Sequence, residues 1–481
     1  MVRKFRLFAG WVLALGVILA SPIEAAPEGC PQGSCRNVWL DFSASEKRRV
    51  LQFADEYKTF LSAARSELTT VEEAIKLARA KGFRALPSGH ALAAGDRFYD
   101  VNRDRAMVLI LAGRRPIAQG VRIMAAHIDS PHLELKARPV YEQETFAQLQ
   151  TRYHGGIKTY QWTNIPLAMI GRVDRKDGRT LRISVGLEAG EPVLVIPDLS
   201  PHVDIDLRER KAREVLMHEE LDPIAGLWPK NARENTAAAV IEILDRQYGI
   251  KPQDLVSAEL DLVPAMAPRD AGLDGSMVAG YGQDDRLSVF AALRGILDSD
   301  VPEFTILVFL ADNEESGNNN NTGAGSTYLV DLIESLLYGQ TGAEYRSPML
   351  KAALRKSRAI SMDVSPGVNP IWPNAWELGN AARLGFGIEI KLYGRGFDAN
   401  SEYIAWTRSY LDKAEIAWQT VTYKVGRAAG GTLGKELSRH NIDVIDIGVP
   451  VLSIHTPFAL SAKSDIYLLY RTVGAFISAG S

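Results

Sequence analysis

The sequence has few cysteines, no apolar run of membrane-spanning length and no strong excess of one charge. Only Cys30 and Cys35 occur among the 481 residues, and no second Cys or His pair lies near them, so neither is a convincing metal ligand. The apolar run over residues 7–20 has 14 residues, fewer than the roughly 20 that span a bilayer as a helix. The formal net charge is −3, so nothing indicates a nucleic-acid partner.

The first residues are typical of an export signal. A basic start precedes the apolar run, and small residues follow it, which predicts a secretory signal peptide over residues 1–26. The alternative is an uncleaved anchor, for which the apolar run is short. We therefore expect an exported protein, periplasmic or secreted, with no stable membrane contact after cleavage. Cys30 and Cys35 would reach an oxidising compartment, where they either form a small-loop disulfide or remain free thiols.

The pattern of apolar residues changes several times along the chain. Residues 45–82 are helical in pattern, with Thr70 and Glu73 as a capping pair and Gly82 at the end. Short apolar strands follow, and the pattern changes again between residues 140 and 265. There, residues 171–199 are typical of antiparallel hairpins with a turn at 176–178, and a helix with Pro252 just beyond it closes the segment. We predict these parts: signal peptide (1–26), tail (27–44), first part of the main domain (45–139), inserted domain (140–265) and second part of the main domain (266–481).

Polar side chains follow several of the predicted strands. His127 comes after residues 121–126, Glu314 and Glu315 after 304–311, Asp363 after 359–362, and His455 after 449–454. The carboxyl ends of strands are where ligand sites assemble in open α/β sheets. The sequence therefore predicts an α/β fold whose strand ends bring these side chains together, with Asp284 and Asp285 at the start of a further helix.

Each of these side chains has a structural explanation when it is considered alone. A histidine can serve a loop, Asp129 can form a turn beside His127, and adjacent carboxylates are favoured at a helix start. However, Glu314 and Glu315 at the end of an apolar strand are costly unless positive charge offsets them. The set as a whole predicts a two-metal hydrolase, because two divalent cations need about five ligands plus a free carboxylate.

The order of motifs resembles a known family. AHIDSP, GYGQDDRLS, ADNEESG, SMDVSPGVNP and DIGVPVLSIHTP, with GDRFYDVNR and IPDLSPHV, resemble the M18 zinc aminopeptidases, the aspartyl aminopeptidase group of the clan that includes M42 and M20 peptidases. The resemblance runs from about Ser45 to the C-terminus. It implies a mixed-sheet α/β peptidase domain with helices on both faces, and a smaller, β-rich dimerisation domain as the insertion. It also implies peptide substrates and a homo-oligomer, from dimer to dodecamer.

The resemblance assigns roles to individual residues. It implies two zinc ions per subunit with these ligands: His127 and Asp363 on one ion, Glu315 and His455 on the other, and Asp284 as the bridge. Glu314 would be the general base that activates a metal-bridging water, and Asp129 would orient His127. His202 would reach a neighbouring subunit's site to stabilise the oxyanion. The remaining histidines are predicted to be structural: His90, His132, His154, His218 and His440.

Two segments depart from the family pattern and leave alternatives open. No Arg-Glu pair follows His455, and the glycine-rich YGGGIW pattern reads YHGGIKTYQW at residues 153–162. The preferred N-terminal residue, acidic or neutral, is therefore open, and zinc is the default metal. Alternative functions are a related metal-dependent carboxypeptidase or deacylase, and a catalytically silent binding or assembly protein.

Overall fold

The computed structural model describes residues 36–231, 235–394, 396–427 and 430–480. The predicted signal peptide (1–26), Cys30 and Cys35 lie outside these residues. Within the described ranges, none of the helices combines the length and the apolar character that crossing a membrane requires.

Ser43, Ser66 and Asn235 cap the helices that follow them, because the side chain of each accepts a backbone N–H of the first turn. In the described chain the helices are α1 (Ala44–Ala63), α2 (Glu67–Ala80), α3 (Ile205–Arg208), α4 (Thr236–Tyr248), α5 (Gln283–Leu297), α6 (Tyr328–Thr341), α7 (Ser347–Arg355), α8 (Ser401–Lys413), α9 (Gly434–Ser438) and α10 (Lys463–Ser478). The predicted capping pair Thr70 and Glu73 is wrong, because Ser66 caps α2 together with Thr69. Thr70 lies inside the helix, where its hydroxyl donates to the Ser66 carbonyl at 2.7 Å.

The strands form three larger sheets and a small hairpin. They are β1 (Arg84–Ala85), β2 (Arg97–Asn102), β3 (Ala106–Leu111), β4 (Arg122–His127), β5 (His132–Gln143), β6 (Phe146–His154), β7 (Leu167–Asp174), β8 (Thr180–Val185), β9 (Ile224–Gly226), β10 (Ala258–Pro264), β11 (Arg269–Ala271), β12 (Met277–Gly280), β13 (Ile306–Ala311), β14 (Arg358–Met362), β15 (Ser365–Pro366), β16 (Ile388–Lys391), β17 (Tyr393–Gly394), β18 (Phe397–Asp398), β19 (Trp418–Val421), β20 (Asp443–Gly448), β21 (Pro450–Leu452) and β22 (Ala459–Ala462).

The main sheet is mixed and buried on both faces. Its order is β1-β2-β3-β13-β4-β14-β20-β16-β19, and the central strands β13, β4, β14 and β20 are parallel to one another. Along β3, Leu109 belongs to the apolar cluster that contains Leu293 of α5 on one face, whereas Ile110 belongs to the cluster that contains Ile333 of α6 on the other. This alternation follows from the two-residue period of a strand. The predicted α/β class, with a mixed sheet and helices on both faces, is confirmed.

A second, antiparallel sheet packs around its own apolar cluster. Its order is β8-β7-β10-β5-β6-β9, and Trp162, Ile170 and Leu262 lie in its core. The predicted turn at 176–178 joins β7 to β8, which pair in antiparallel register. The third sheet has the order β11-β12-β22-β21-β15.

The strand predicted before His455 does not belong to the main sheet. The chain leaves the main sheet at the end of β20 and enters β21, a short strand of the third sheet that ends at Leu452. His455 follows in a loop. A mostly apolar run such as residues 449–454 is compatible with a strand in either sheet, so the sequence pattern does not show to which sheet it belongs.

Candidate metal centre

Three neighbouring parallel strands deliver polar side chains to one edge of the main sheet. β13, β4 and β14 are adjacent, and Ala311 at the end of β13 is in register with His127 at the end of β4. Asp363 follows the end of β14, and Glu315 follows β13 after a short turn. Because the strands are parallel, their carboxyl ends meet, and the site forms there.

Asp284 lies between two imidazoles. Its Oδ1 is 3.1 Å from His127 Nε2, and its Oδ2 is 3.1 Å from His455 Nε2. Asp363 Oδ1 is 3.7 Å from the same nitrogen of His127, and Glu315 Oε1 is 3.4 Å from the same nitrogen of His455. The five predicted ligands are therefore brought together in two groups that share one carboxylate.

Hydrogen bonds on the far side of each ring set its orientation. His127 Nδ1 lies 3.0 Å from the Asp129 carbonyl oxygen and 3.2 Å from Asp129 Oδ1. His455 Nδ1 lies 2.8 Å from the Gly156 carbonyl oxygen. Both acceptors favour the tautomer with the proton on Nδ1, which leaves the Nε2 lone pair directed at Asp284. Metal-binding histidines are held in this manner.

The buried carboxylates fit a divalent cation. Asp284 Oδ1 and Glu315 Oε1 are buried and have no hydrogen-bond partner among the described residues. The same holds for both carboxylate oxygens of Asp285, whose pKa is raised by burial and by Asp363. Buried charge without compensation is costly, and imidazole nitrogen with carboxylate oxygen is a donor set that zinc accepts. The residues present therefore fit zinc.

Glu314 lies beside these groups with its carboxylate uncommitted. Its backbone N–H donates to Asp129 Oδ1 at 3.1 Å, while its carboxylate makes no hydrogen bond or ion pair within the described ranges. Burial, and then the charges of Asp363 and Asp129, raise the pKa of Glu314 to about 8. A carboxylate with a raised pKa is suited to proton transfer near neutral pH.

The two remaining predicted residues, Asp129 and His202, differ in their distance from the site. Asp129 contacts His127, as the sequence prediction required. His202 lies in an exposed turn between β8 and α3, and within the described chain it makes no hydrogen bond or ion pair with the site. His154 is one of the five histidines predicted to be structural, but it contacts the site, because its Nε2 lies 2.8 Å from Asp129 Oδ2. Sequence reasoning also missed Gly156, although its place in an altered glycine-rich motif was a signal.

Comparisons with known proteins show the family to which the chain belongs. The sequence model of the family described as aminopeptidase I zinc metalloprotease (M18) matches residues 60–477. The probable M18 family aminopeptidase 1 of Clostridium acetobutylicum is 36% identical over 457 residues, which cover 92% of this chain and 98% of that relative. The crystal structure of an M18 aminopeptidase from Thermotoga maritima has a TM-score of 0.87 and 34% identity, and the match covers 92% of this chain and 99% of that one. The chain therefore belongs to the M18 family of zinc metallo-aminopeptidases, which are hydrolases.

Proposed function

We propose that the protein is a dinuclear zinc aminopeptidase that removes the N-terminal residue of peptides. The observation that carries the proposal is the position of Asp284, whose two oxygens each lie 3.1 Å from a different histidine nitrogen. A carboxylate that faces two ligand groups is suited to bridge two cations. His127 and Asp363 would complete one group, and Glu315 and His455 the other.

The metal ions would polarise the scissile carbonyl and lower the pKa of a water molecule when bound. Glu314 accepts a proton from the attacking water as the new C–O bond forms at the carbonyl carbon. Glu314 then delivers that proton to the leaving amine nitrogen as the C–N bond breaks. Asp129 holds His127 and the backbone of Glu314 in place, through contacts of 3.0 to 3.2 Å.

The surroundings of the site favour a substrate with a free amine. A cavity of about 640 Å³ is lined by Asp129, Asp312 and Glu315 among other residues. A protonated α-amine is attracted by such carboxylates, whereas an acylated amine gains nothing from them. This difference separates an aminopeptidase from a carboxypeptidase or deacylase.

Matched chromogenic amides test the proposal. We expect the purified protein to hydrolyse aminoacyl p-nitroanilides, to lose this activity on treatment with a chelator and to regain it when zinc is added. The N-acetylated form of each substrate should be inert. Faster turnover of N-acyl amino acids than of free aminoacyl amides would refute the assignment, and a panel of acidic and neutral N-terminal residues would give the preference.

We further propose that the protein is exported and forms a homo-oligomer through the inserted segment, residues 140–265. An exposed apolar surface in that segment supports the oligomer, since Leu199, Val203 and Ile205 are 52%, 65% and 69% exposed. Such apolar patches mark interaction sites, and His202 lies among these residues. Light scattering would give the assembly size, and N-terminal sequencing of the mature protein would test cleavage near residue 26.

A further inference from the structure

A second group of imidazoles and carboxylates lies in the cavity beside the metal centre. It comprises His132 and Glu134 of β5, His154 of β6 and Asp261 of β10, all of which line that cavity. His132 is in register with His154, and Glu134 with Asp261. Because residues two apart share a face of a strand and registered residues are neighbours, the four side chains project from the same face of the second sheet.

Hydrogen bonds to the far nitrogens orient both rings. His132 Nδ1 lies 2.7 Å from the Ser130 carbonyl oxygen, and His154 Nε2 lies 2.8 Å from Asp129 Oδ2. Each of these nitrogens donates its proton, so the lone pairs in the neutral rings are on His132 Nε2 and His154 Nδ1. A carboxylate or carbonyl behind each ring is the arrangement that orients metal-binding histidines.

The two remaining nitrogens converge on one carboxylate oxygen. Glu134 Oε1 is 3.5 Å from His132 Nε2 and 3.4 Å from His154 Nδ1, and the three ligand atoms lie within 4.8 Å of one another. A tetrahedral cation about 2.0–2.2 Å from each ligand separates its ligands by roughly 3.3–3.6 Å. Asp261 Oδ1, 3.2 Å from His132 Nε2, is placed to serve as a fourth ligand.

The charges around this group also favour a cation. The carboxyl groups of Glu67, Asp129 and Asp312 line the same cavity. The positive charge of Arg152 pairs with Glu134 through Oε2, which is not the oxygen that faces the two histidines. Two protonated imidazoles would offset some of this negative charge. However, the rings of His132 and His154 are stacked, with centroids 4.7 Å apart and planes 14° from parallel, so two positive rings would repel each other.

We propose that His132, Glu134 and His154, with Asp261, hold a further divalent cation of the zinc type, distinct from the ions of the proposed dinuclear centre. Two imidazoles and one or two carboxylates suit zinc or a similar first-row metal. Asp129 connects the two centres, because one of its oxygens faces His127 and the other faces His154. The cation would thereby tie the second sheet to the edge of the main sheet that carries the proposed catalytic site.

Anomalous diffraction locates the ion directly. Crystals of the full purified chain, dialysed against zinc-free buffer, would be measured on either side of the zinc absorption edge, with an X-ray fluorescence scan to identify any other metal. We expect a peak between His132 Nε2, Glu134 Oε1 and His154 Nδ1. The proposal is overturned if that position is empty, or is filled only after soaking in excess zinc, while peaks at Asp284 are present. A peak at this position without peaks at Asp284 would refute the proposed dinuclear centre and would leave the further cation site supported.

Metal content in solution provides a second test. Glu134→Gln and His132→Asn should each lower the bound metal by one ion per chain, measured by plasma emission after dialysis. His218→Asn is the matched control. The ring of His218 lies outside the group and packs against the ring of Tyr153 with centroids 4.2 Å apart and planes tilted by 32°. This variant should retain the full metal content. Full content in both test variants would contradict the proposal, and circular dichroism would exclude loss through unfolding.

Discussion

The side chain of Asp129 contacts four other residues of the candidate site. Its two carboxylate oxygens face His127 Nδ1 and His154 Nε2, and they accept the backbone N–H groups of Glu314 and Glu315 at 3.1 Å. Burial raises the pKa of this carboxyl, but the contacts with His127 and His154 outweigh that effect and hold the pKa well below its usual value. One buried carboxylate therefore fixes two rings and the turn that carries both glutamates.

Replacing Asp129 by Asn tests this positioning role. The amide has one acceptor oxygen, and its NH₂ group would face a ring or backbone N–H. We expect zinc affinity to fall by about 10–100-fold, measured by competition with a chromogenic chelator. Asp206→Asn, at an exposed position in α3, is the control and should bind zinc as the unmodified protein does. Unchanged affinity in Asp129→Asn would show that the contacts do not support the metal.

Asp284 and Asp363 differ in the number of imidazoles that they face. Asp284→Asn should reduce zinc content more than Asp363→Asn, because Asp284 faces both histidines and Asp363 faces only His127. Plasma emission on the dialysed variants would give the comparison. Equal losses would argue against Asp284 as the bridge and would favour its buried neighbour Asp285.

The proposed ligands could be recognised from the sequence to different degrees. His127 and Glu315 follow buried strands, and their polarity at a strand end was a direct signal. His154 was not recognised, because its role depends on the register of β6 against β5 and on the position of Asp129, neither of which appears in local sequence. Gly156 acts through its carbonyl oxygen, which every residue type possesses.

At the scale of elements, the end of β20 passes close to the chain that carries Asp363. A Cβ atom at Gly448 would lie 1.7 Å from the Asp363 carbonyl oxygen. Since this strand packs directly beside β14, only glycine allows the approach. The contact couples strand packing to the position of one proposed ligand.

Gly448→Ala should therefore destabilise the fold by about 1–3 kcal/mol or more, as overpacking does, and should weaken zinc retention. Gly474→Ala is the matched control, because a Cβ there meets nothing within 4 Å and Gly474 lies within α10. An alanine in a helix interior is expected to stabilise by roughly 0.5–1 kcal/mol. Urea unfolding and metal analysis would compare them, and equal stability of the two variants would contradict the prediction.

Helices and strands were predicted correctly where the local sequence pattern determines them. The predictions failed where two possible capping residues compete, or where pairing with strands distant in sequence determines the sheet. The buried strands β4 and β13 were recognisable from apolar runs bounded by polar residues. The capping pair at Thr70 failed because Ser66, four residues earlier, offers an equivalent hydroxyl and begins α2 sooner. The membership of β21 in the third sheet depends on its pairing with β15 and β22, which the local sequence does not specify.

At the scale of the whole molecule, the proposed role of His202 requires a second subunit. Exposed apolar side chains precede and follow His202 along the chain, which supports the proposal of an interface at this turn. The sequence indicated this role through a family motif, whereas the position of His202 relative to a neighbouring site depends on assembly.

Mixed oligomers test whether sites are shared between subunits. His202→Ala should lower turnover with metal content and assembly size unchanged, since one oxyanion donor is worth roughly 2.7–4 kcal/mol. Co-assembled His202→Ala and Glu314→Gln subunits should regain part of the activity, because some sites combine an intact Glu314 with a neighbour's His202. Verified mixed oligomers that stay inactive would exclude sharing.

The most direct test of the proposed mechanism compares Glu314 with its neighbour Glu315. The amide in Glu314→Gln cannot take a proton from water, so kcat should fall by about 10²–10⁴-fold while the zinc content stays at that of the unmodified protein. Glu315→Gln should instead lose zinc, because its Oε1 faces His455 Nε2 at 3.4 Å. Turnover and plasma emission would be measured on both variants. A Glu314→Gln enzyme with near-normal kcat, or one that has lost its zinc, would contradict the assignment of Glu314 as the general base.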